Sequence, residues 1–315
     1  MLRTLEAWIP RGSEVAIVDV PVHRNIGDLF ILAATLRLLK RLQCRIVYRA
    51  GVRDYRRRSA RAHIHSNTIV IGLGGGNFGD VYPRYLTLRE RILQDFSRNR
   101  IVILPQTIHF DRAGERTRIV DRFSSHPDLR IAARDRASFE IARAITRHAV
   151  LLPDVVHALA EPDHIGTHAT ATRGTVFFMR QDAEKSRSSD RRAGSVDWPT
   201  VFPGFLPRLM AAAALMPVAP QPASRRLHDQ WSRYADDLLS RGLSWMAGVE
   251  HLVTDRLHAA ILARLARRPV TLHDNAYGKL TAYYDAWWRD DPAVKLLPTS
   301  FTRSHTSSER TRRLP

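Results

Sequence analysis

Leu252-Val253-Thr254-Asp255-Arg256-Leu257-His258 runs directly into Ala259-Ala260-Ile261-Leu262-Ala263-Arg264-Leu265, and the reading of this junction decides the fold. A short apolar run ends in polar residues, and an Ala/Leu-rich run with strong helix preference begins at once. The junction therefore predicts a buried strand, a tight loop and a helix N-terminus. Unpaired backbone N–H groups and the positive end of the helix dipole make such a place favourable for an anion. Arg256 adds a planar charge suited to phosphate or carboxylate, and His258 an imidazole that can move a proton near neutral pH. A plainer alternative stands beside this one: Asp255 caps the helix, Arg256 is solvated and His258 is packed.

The same order, strand then polar loop then helix, recurs on both sides of the junction. Residues 14–20, 45–49, 68–73, 100–104, 129–133 and 150–152 read as short buried strands. Helical spacing covers 29–42, 82–98 and a stretch ending near Arg147. A polar stretch at 161–173, with Pro162 and Gly166, reads as a domain linker, so the expected domains are 1–165 and 166–298. The second opens with a strand at 175–179 and a loop at 186–197, and continues with helices from Leu206 and from about Arg226. After the opening junction come a strand at 268–272 and a helix through Trp288, which is expected to pack back on the first domain. Residues 299–315 are rich in Ser, Thr and Arg and read as a disordered tail. Strands alternating with helices throughout imply an α/β fold with parallel sheets covered on both faces.

At 315 residues with 44% hydrophobic content, the chain can build two cores. Its one cysteine, Cys44, excludes a disulfide framework and a cysteine zinc cluster. No His/Asp/Glu group has metal-ligand spacing, and no apolar run approaches the roughly 20 residues of a membrane helix. With no signal peptide visible, the expected location is the cytoplasm. The net charge of +18 comes almost entirely from arginines spread along the whole chain. It implies an anionic partner: a phosphorylated substrate, an anionic membrane surface or nucleic acid. No zinc finger, aromatic RNA-binding motif or basic heptad region accompanies it.

Five loops follow strands and open helices: Asn25–Asp28, 74–80, 134–138, 254–258 and 274–279. In open α/β sheets ligands bind beyond the carboxyl ends of the strands, so these loops are expected to converge on one cleft. Gly74-Gly75-Gly76-Asn77 suits positive φ or close backbone approach to a ligand, yet it is neither a dinucleotide fingerprint nor a P-loop. Asp80 and Asp28 read as general bases or as helix caps, Asn25 as a turn or a ligand, and Lys279 as a site cation or a solvated charge. Arg134 reads as an anion holder or as the structural partner of Asp135 or Asp154.

Taken in order, Asn25-x-Gly-Asp28, Gly-Gly-Gly-Asn77-x-Gly-Asp80, Arg134-Asp135-x-x-Ser138, Pro153-Asp154, Thr254-Asp255-Arg256-Leu257-His258 and Tyr277-Gly278-Lys279 resemble the polysaccharide pyruvyl transferase family, from about Val15 to Trp288. The resemblance implies two Rossmann-like domains facing a cleft, in a GT-B-like arrangement. It implies transfer of pyruvate from phosphoenolpyruvate to a sugar of a bacterial exopolysaccharide or lipid-linked oligosaccharide as a ketal, at the inner face of the cell membrane. It places the donor at Arg134, Arg256, Leu257 and His258, with Gly75, Gly76, Asn77 and Lys279 beside them. Arg180, Asp182 and Glu184 resemble an element of the exopolysaccharide members, and with Asn25 they form the expected acceptor side. In the expected chemistry Arg134 and Arg256 hold the anion, His258 is the acid, and Asp80 or Asp28 is the base; no metal or cofactor is called for. The alternatives are a nucleotide-sugar glycosyltransferase of the same architecture, a basic nucleic-acid-binding protein and a scaffold of a polysaccharide-assembly complex.

Overall fold

The structure, a computed structural model, describes residues 1–159, 172–180, 194–220, 222–274 and 278–297. The expected linker, most of the 186–197 loop and the C-terminal tail lie outside the described residues. The first half contains, in order, α1 (Leu2–Trp8), β1 (Glu14–Val18), α2 (Ile26–Arg41), β2 (Arg45–Arg49), α3 (Arg57–His63), β3 (Ile69–Gly72), β4 (Gly75–Gly79) and α4 (Pro83–Asp95). It continues with β5 (Ile101–His109), α5 (Ala113–Ser124), β6 (Leu129–Ala133), α6 (Arg136–Ile145), β7 (Ala149–Leu151) and a 3-10 turn (Val155–Leu159). The second half comprises β8 (Arg173–Phe178), α7 (Trp198–Val201), α8 (Phe205–Leu215), α9 (Ala223–Ala247), β9 (Val249–Thr254), α10 (Leu257–Leu265), β10 (Val270–His273), α11 (Lys279–Trp287) and β11 (Val294–Leu297).

Two parallel sheets result, as the alternation of strand and helix implies. The larger has seven strands in the order β2-β1-β3-β5-β6-β7, with β4 pairing the far end of β5. The smaller has the order β11-β10-β9-β8. In the larger sheet, β2 lies on one side of β1 and β3 on the other, so the direction of strand addition reverses at β1. The crevice beyond the carboxyl ends of β1 and β3 is where such sheets take ligands. In the smaller sheet strands are added in strict succession, and β9 carries its C-terminus toward the same crevice.

Burial follows the period of two that parallel strands covered on both faces require. Val15 and Ile17 of β1 enter one apolar cluster, while Ala16 and Val18 enter another on the opposite face. The first cluster does not stop at the first sheet. It runs through α2 and α9 into Leu252 of β9, Leu272 of β10 and Ala259 to Ala263 of α10. Phe30 on α2, fully buried, meets Trp198 edge-on at 5.0 Å between ring centroids. Helices from both halves therefore share one apolar layer, and it holds the strand ends in register across the crevice. No described helix is long and apolar enough to cross a membrane.

Several elements, α1, α5 and α7 among them, were not read in the sequence, and three depart from it for a physical reason. Residues 75–79, read as an open loop, form β4, because Gly74 and Gly79 lie directly against the backbone of β5. A Cβ on Gly79, at φ +153, would fall 1.6 Å from the His109 carbonyl oxygen. The close approach that these two glycines permit is to a neighbouring strand, not to a ligand. The arginine-rich α3 and the short β11 lacked the apolar period that reveals an element in sequence.

Phe30→Ala should cost about 3–5 kcal/mol, the loss usual for a large aromatic removed from a packed core. Chemical denaturation measures it; a loss below about 1 kcal/mol would show that the shared helical layer does not hold the halves together.

Candidate active site

Two helix N-termini face each other across the crevice. Asn25 caps α2, its side-chain oxygen accepting from the Gly27 N–H at 3.1 Å. Arg256 occupies the cap position of α10 and supplies no side-chain cap, which leaves the first-turn N–H groups without side-chain partners from the chain's own cap. Between them lies a cavity of about 490 Å³ whose lining includes Asn25, Gly27, Asp28, Arg256, Leu257 and His258. Gly76, Asn77 and Arg134 line it from the larger sheet, and Arg180 and Asp255 from the smaller. Tyr82, Tyr85, His23, Arg24, Trp198 and Leu280 complete the wall. The helices bring the positive ends of two dipoles to one space, each worth roughly half an elementary charge.

Asp154, fully buried, joins the two sides. Its Oδ2 accepts from Arg134 Nη1 at 2.8 Å and lies 3.5 Å from His258 Nε2, while its Oδ1 accepts from the Val156 N–H at 3.1 Å. Burial alone would raise its pKa, but His258, Arg134 and the backbone donor together hold it well below the ordinary carboxylate value. Asp154 is therefore an anion beside the imidazole, at ion-pair distance, while His258 Nε2 is buried with no hydrogen-bond partner among the described residues. His157 shares the neighbourhood, stacked on Tyr283. Burial, against the pull of Asp154, pushes its pKa down to about 4, so it is neutral at pH 7. Helix α11 closes over this centre: Trp287 Nε1 donates to the Arg134 carbonyl at 2.8 Å, and the Asp154 N–H donates to the Tyr283 hydroxyl at 3.1 Å.

The other edge of His258 rests on Gly27. A Cβ at Gly27 would fall 2.2 Å from His258 Nδ1, so only glycine admits the imidazole to the first turn of α2. Beside it, Asp28 accepts from Asn25 Nδ2 at 3.1 Å and lies 3.3 Å from His23 Nε2. Exposed Arg24, at the cavity wall, makes no ion pair among the described residues. Burial, followed by the negative charges of Asp28 and Asp19, pushes the Tyr85 phenol upward, so it stays a donor.

Arg256 is not simply aimed at an anion, as its sequence suggested. Nε donates to Asp197 Oδ1 at 2.9 Å and Nη2 to Asp197 Oδ2, so one edge of the fork is committed to a buried carboxylate. Asp255 is not the cap of α10. Its Oδ1 accepts from the Arg180 N–H at 2.8 Å, its Oδ2 is buried without a hydrogen-bond partner among the described residues, and burial raises its pKa despite nearby Arg256 and Arg180. Neither role was legible: Asp197 stands 59 positions from Arg256, and Asp255 carried an equally good capping explanation.

The structure separates other candidates from the cavity. Asp80 accepts from the backbone N–H groups of Asp111 and Arg112 at 2.9 and 3.0 Å, away from the lining. Burial raises its pKa, but those two donors and the Arg112 guanidinium bring it below the ordinary value, which suits a loop anchor rather than a base. Gly75 is buried in β4 and is absent from the cavity wall, unlike Gly76 and Asn77. Asn77 is held from behind by Arg89, whose Nη2 bonds Asn77 Oδ1 and Asp19 Oδ2, each at 2.7 Å. Asp19, at φ 68 just after β1, is a buried partner that no motif announced. In the Arg134-Asp135-x-x-Ser138 element, Asp135 caps α6 through the Ser138 N–H at 2.8 Å, and the Ser138 Oγ accepts from the Ile108 N–H at 2.7 Å. These bonds fix the turn that presents Arg134. Asp182 and Glu184 lie outside the described residues, as does the side chain of Lys279, the first residue of α11. Among the described residues, no group of three His, Cys, Asp or Glu side chains could hold a metal ion.

Comparison with known proteins agrees with this order of elements. The sequence profile of the polysaccharide pyruvyl transferase family matches residues 25–275, from the cap of α2 past the end of β10. EpsO of Bacillus subtilis (strain 168), provisionally named a pyruvyl transferase, is 33% identical over 295 residues, covering 92% of this chain and 90% of its own. Pyruvyl transferase 1 of Schizosaccharomyces pombe is 28% identical over 288 residues, covering 87% of this chain and 70% of its own. The crystal structure of a functionally uncharacterized Klebsiella pneumoniae protein has the same fold, with a TM-score of 0.63 at 18% identity, covering 95% of this chain and 97% of that one.

Asp154→Asn should destabilise the protein by about 3–5 kcal/mol at neutral pH, because it leaves the buried Arg134 charge uncompensated. The folded-state pKa of Asp154 is lowered, so its contribution is fully present above its ordinary value of 3.8 and fades as pH falls below it. Denaturation midpoints of wild type and variant should therefore converge on acidification; a constant gap down to strong acid would contradict the ionised pair.

Proposed function

Since the chain belongs to the polysaccharide pyruvyl transferase family, we propose that it moves pyruvate from phosphoenolpyruvate onto two hydroxyls of a sugar as a ketal. The observation that carries this reading is the Asp154–His258 pair set between the N-termini of α2 and α10 and beside Arg134. Phosphoenolpyruvate bears a phosphate and a carboxylate, and this space offers the uncapped first turn of α10 with the Arg134 and Arg256 guanidinium groups beside it. Arg134 and Arg256 serve as donor-holding cations, each braced by a carboxylate behind it, with Leu257, Gly76, Asn77 and Lys279 around the donor.

In this scheme His258, with Asp154 beside its Nε2, protonates the methylene carbon. One sugar hydroxyl adds at the neighbouring carbon while Asp28 takes its proton. The C–O bond to phosphate then breaks, the departing phosphate takes the proton from Asp28, and the second hydroxyl closes the ketal while its proton returns to His258. A group that protonates carbon while phosphate is held nearby has to sit at the edge of an anion site, and His258 does. None of these steps calls for a metal or a nucleotide. Asn25 and Arg180 sit at the acceptor side, on walls of the cavity that flank the donor end. We read the two sheets as Rossmann-like halves, 1–165 and 166–298, in a GT-B-like arrangement with α11 returning to the first half. The acceptor is then a sugar of a polysaccharide repeat unit, carried on a lipid at the inner face of the membrane.

The test is incubation with phosphoenolpyruvate and free or lipid-linked glycans, following phosphate release and glycan mass. One phosphate per pyruvyl mass gain is expected; turnover of a nucleotide sugar with no phosphoenolpyruvate binding would overturn the reading. His258→Ala should lose about 10²–10⁴-fold in transfer with donor binding retained. Unchanged turnover in that variant would remove His258 from the mechanism. Arg256→Lys keeps the charge but loses the fork that Asp197 aligns, so the KM for phosphoenolpyruvate should rise; unaltered KM would argue against a donor contact there.

A further inference from the structure

Helix α8 is apolar on the side that faces the protein and on the side that faces away. Phe205 and Leu209 pack into the core. Yet Leu206, Pro207, Met210, Ala211, Ala214 and Leu215 are exposed, and the sole charge on the helix is Arg208. Met210 is 71% exposed, and Val218, one turn beyond the helix, is 73% exposed. An outer helix in water ordinarily carries polar residues on its solvent face, so this one is built for a partner.

The surroundings identify that partner's charge. No Asp or Glu stands between Asp197 and Asp229 in the sequence. Arg56 donates to the Pro217 carbonyl at the end of α8, and Arg53 and Arg84 line a small chamber together with Ala212 and Met216. Arg53, Arg56, Arg84 and Arg208 are all exposed, and none makes an ion pair among the described residues. An apolar helix face with exposed arginines beside and behind it, Arg208 lying over the Tyr234 ring, matches an anionic lipid surface, where apolar side chains sink below the headgroups and arginines stay among the phosphates. At 11 residues the helix is too short to span a bilayer, which needs roughly 20.

We propose that α8 and the turn through Val218 dock the protein on an anionic membrane surface. The chamber behind α8 shares His23 and Tyr85 with the main cavity, so docking sets the entrance to that cavity beside the headgroups. An acceptor carried on a membrane lipid then meets the site without leaving the bilayer. That last link rests on the pyruvyl transferase reading; the docking does not.

Co-sedimentation of the full chain with vesicles tests it, using phosphatidylcholine alone and an equimolar mixture with phosphatidylglycerol. Binding to the mixture should be at least about tenfold tighter and should weaken with added salt. Met210→Asp combined with Val218→Asp should reduce that binding by about tenfold or more while leaving the thermal midpoint unchanged, since both side chains are exposed. Equal binding to both vesicles, or a double variant that binds like wild type, would overturn the proposal. So would light scattering that shows a dimer which the double variant converts to monomer, because the face would then belong to a second copy. No donor or glycan enters the assay, so its failure and the failure of pyruvyl transfer are separately visible.

Discussion

One buried carboxylate determines how the two halves of this molecule meet. Asp154 lies between Arg134, presented at the end of β6, and His258, presented by the first turn of α10. An isolated carboxylate in such a place costs several kcal/mol, and the cost is offset only if its partners stay where they are. If Arg134 swings toward a ligand or His258 turns its Nε2 away, that buried charge loses a cationic or polar partner and keeps only the remaining one and the Val156 N–H. Tyr283 and Trp287 of α11 press on the same point from the C-terminal end of the chain. A single ion thus ties the larger sheet, the start of α10 and the last helix into one geometry.

The same principle explains why the site is not simply a pool of positive charge. Arg134 is backed by Asp154, and Arg256 by Asp197, so both guanidiniums are held rigidly and partly neutralised from behind. What remains for an incoming anion is directional: N–H groups at the start of α10 and guanidinium groups in fixed planes. The net charge of +18, which dominates the composition, lies largely elsewhere, and part of it lies beside the apolar face of α8.

Much of the fold was legible because parallel strands buried on both faces are nearly continuous apolar runs. Residues 45–49 and 129–133 coincide with β2 and β6, and the strand–loop–helix junction at 252–265 stands as β9 and α10. The glycine segment was misread because glycine signals close approach without saying to what; here two of its glycines face β5. The site was legible in part for the same reason. Residues that end strands or open helices advertise themselves, so Asn25, Asp28, Arg134, Arg256 and His258 were all found, and all line one cavity. Their buried partners do not, since Asp19 and Asp197 belong to no motif and are defined only by what they touch across the fold. Asp80 shows the converse: a carboxylate after a glycine turn reads as a base, and the fold uses it to anchor the 111–112 backbone.

The proposed chemistry depends on where a donor sits relative to Asp154 and His258, and a crystal structure of the protein with phosphoenolpyruvate bound measures that directly. The expected result places the phosphate and carboxylate between the first turns of α2 and α10, in contact with Arg134, with the methylene carbon facing the His258 imidazole. A donor seated outside that crevice, or one whose methylene carbon points away from His258, would contradict it.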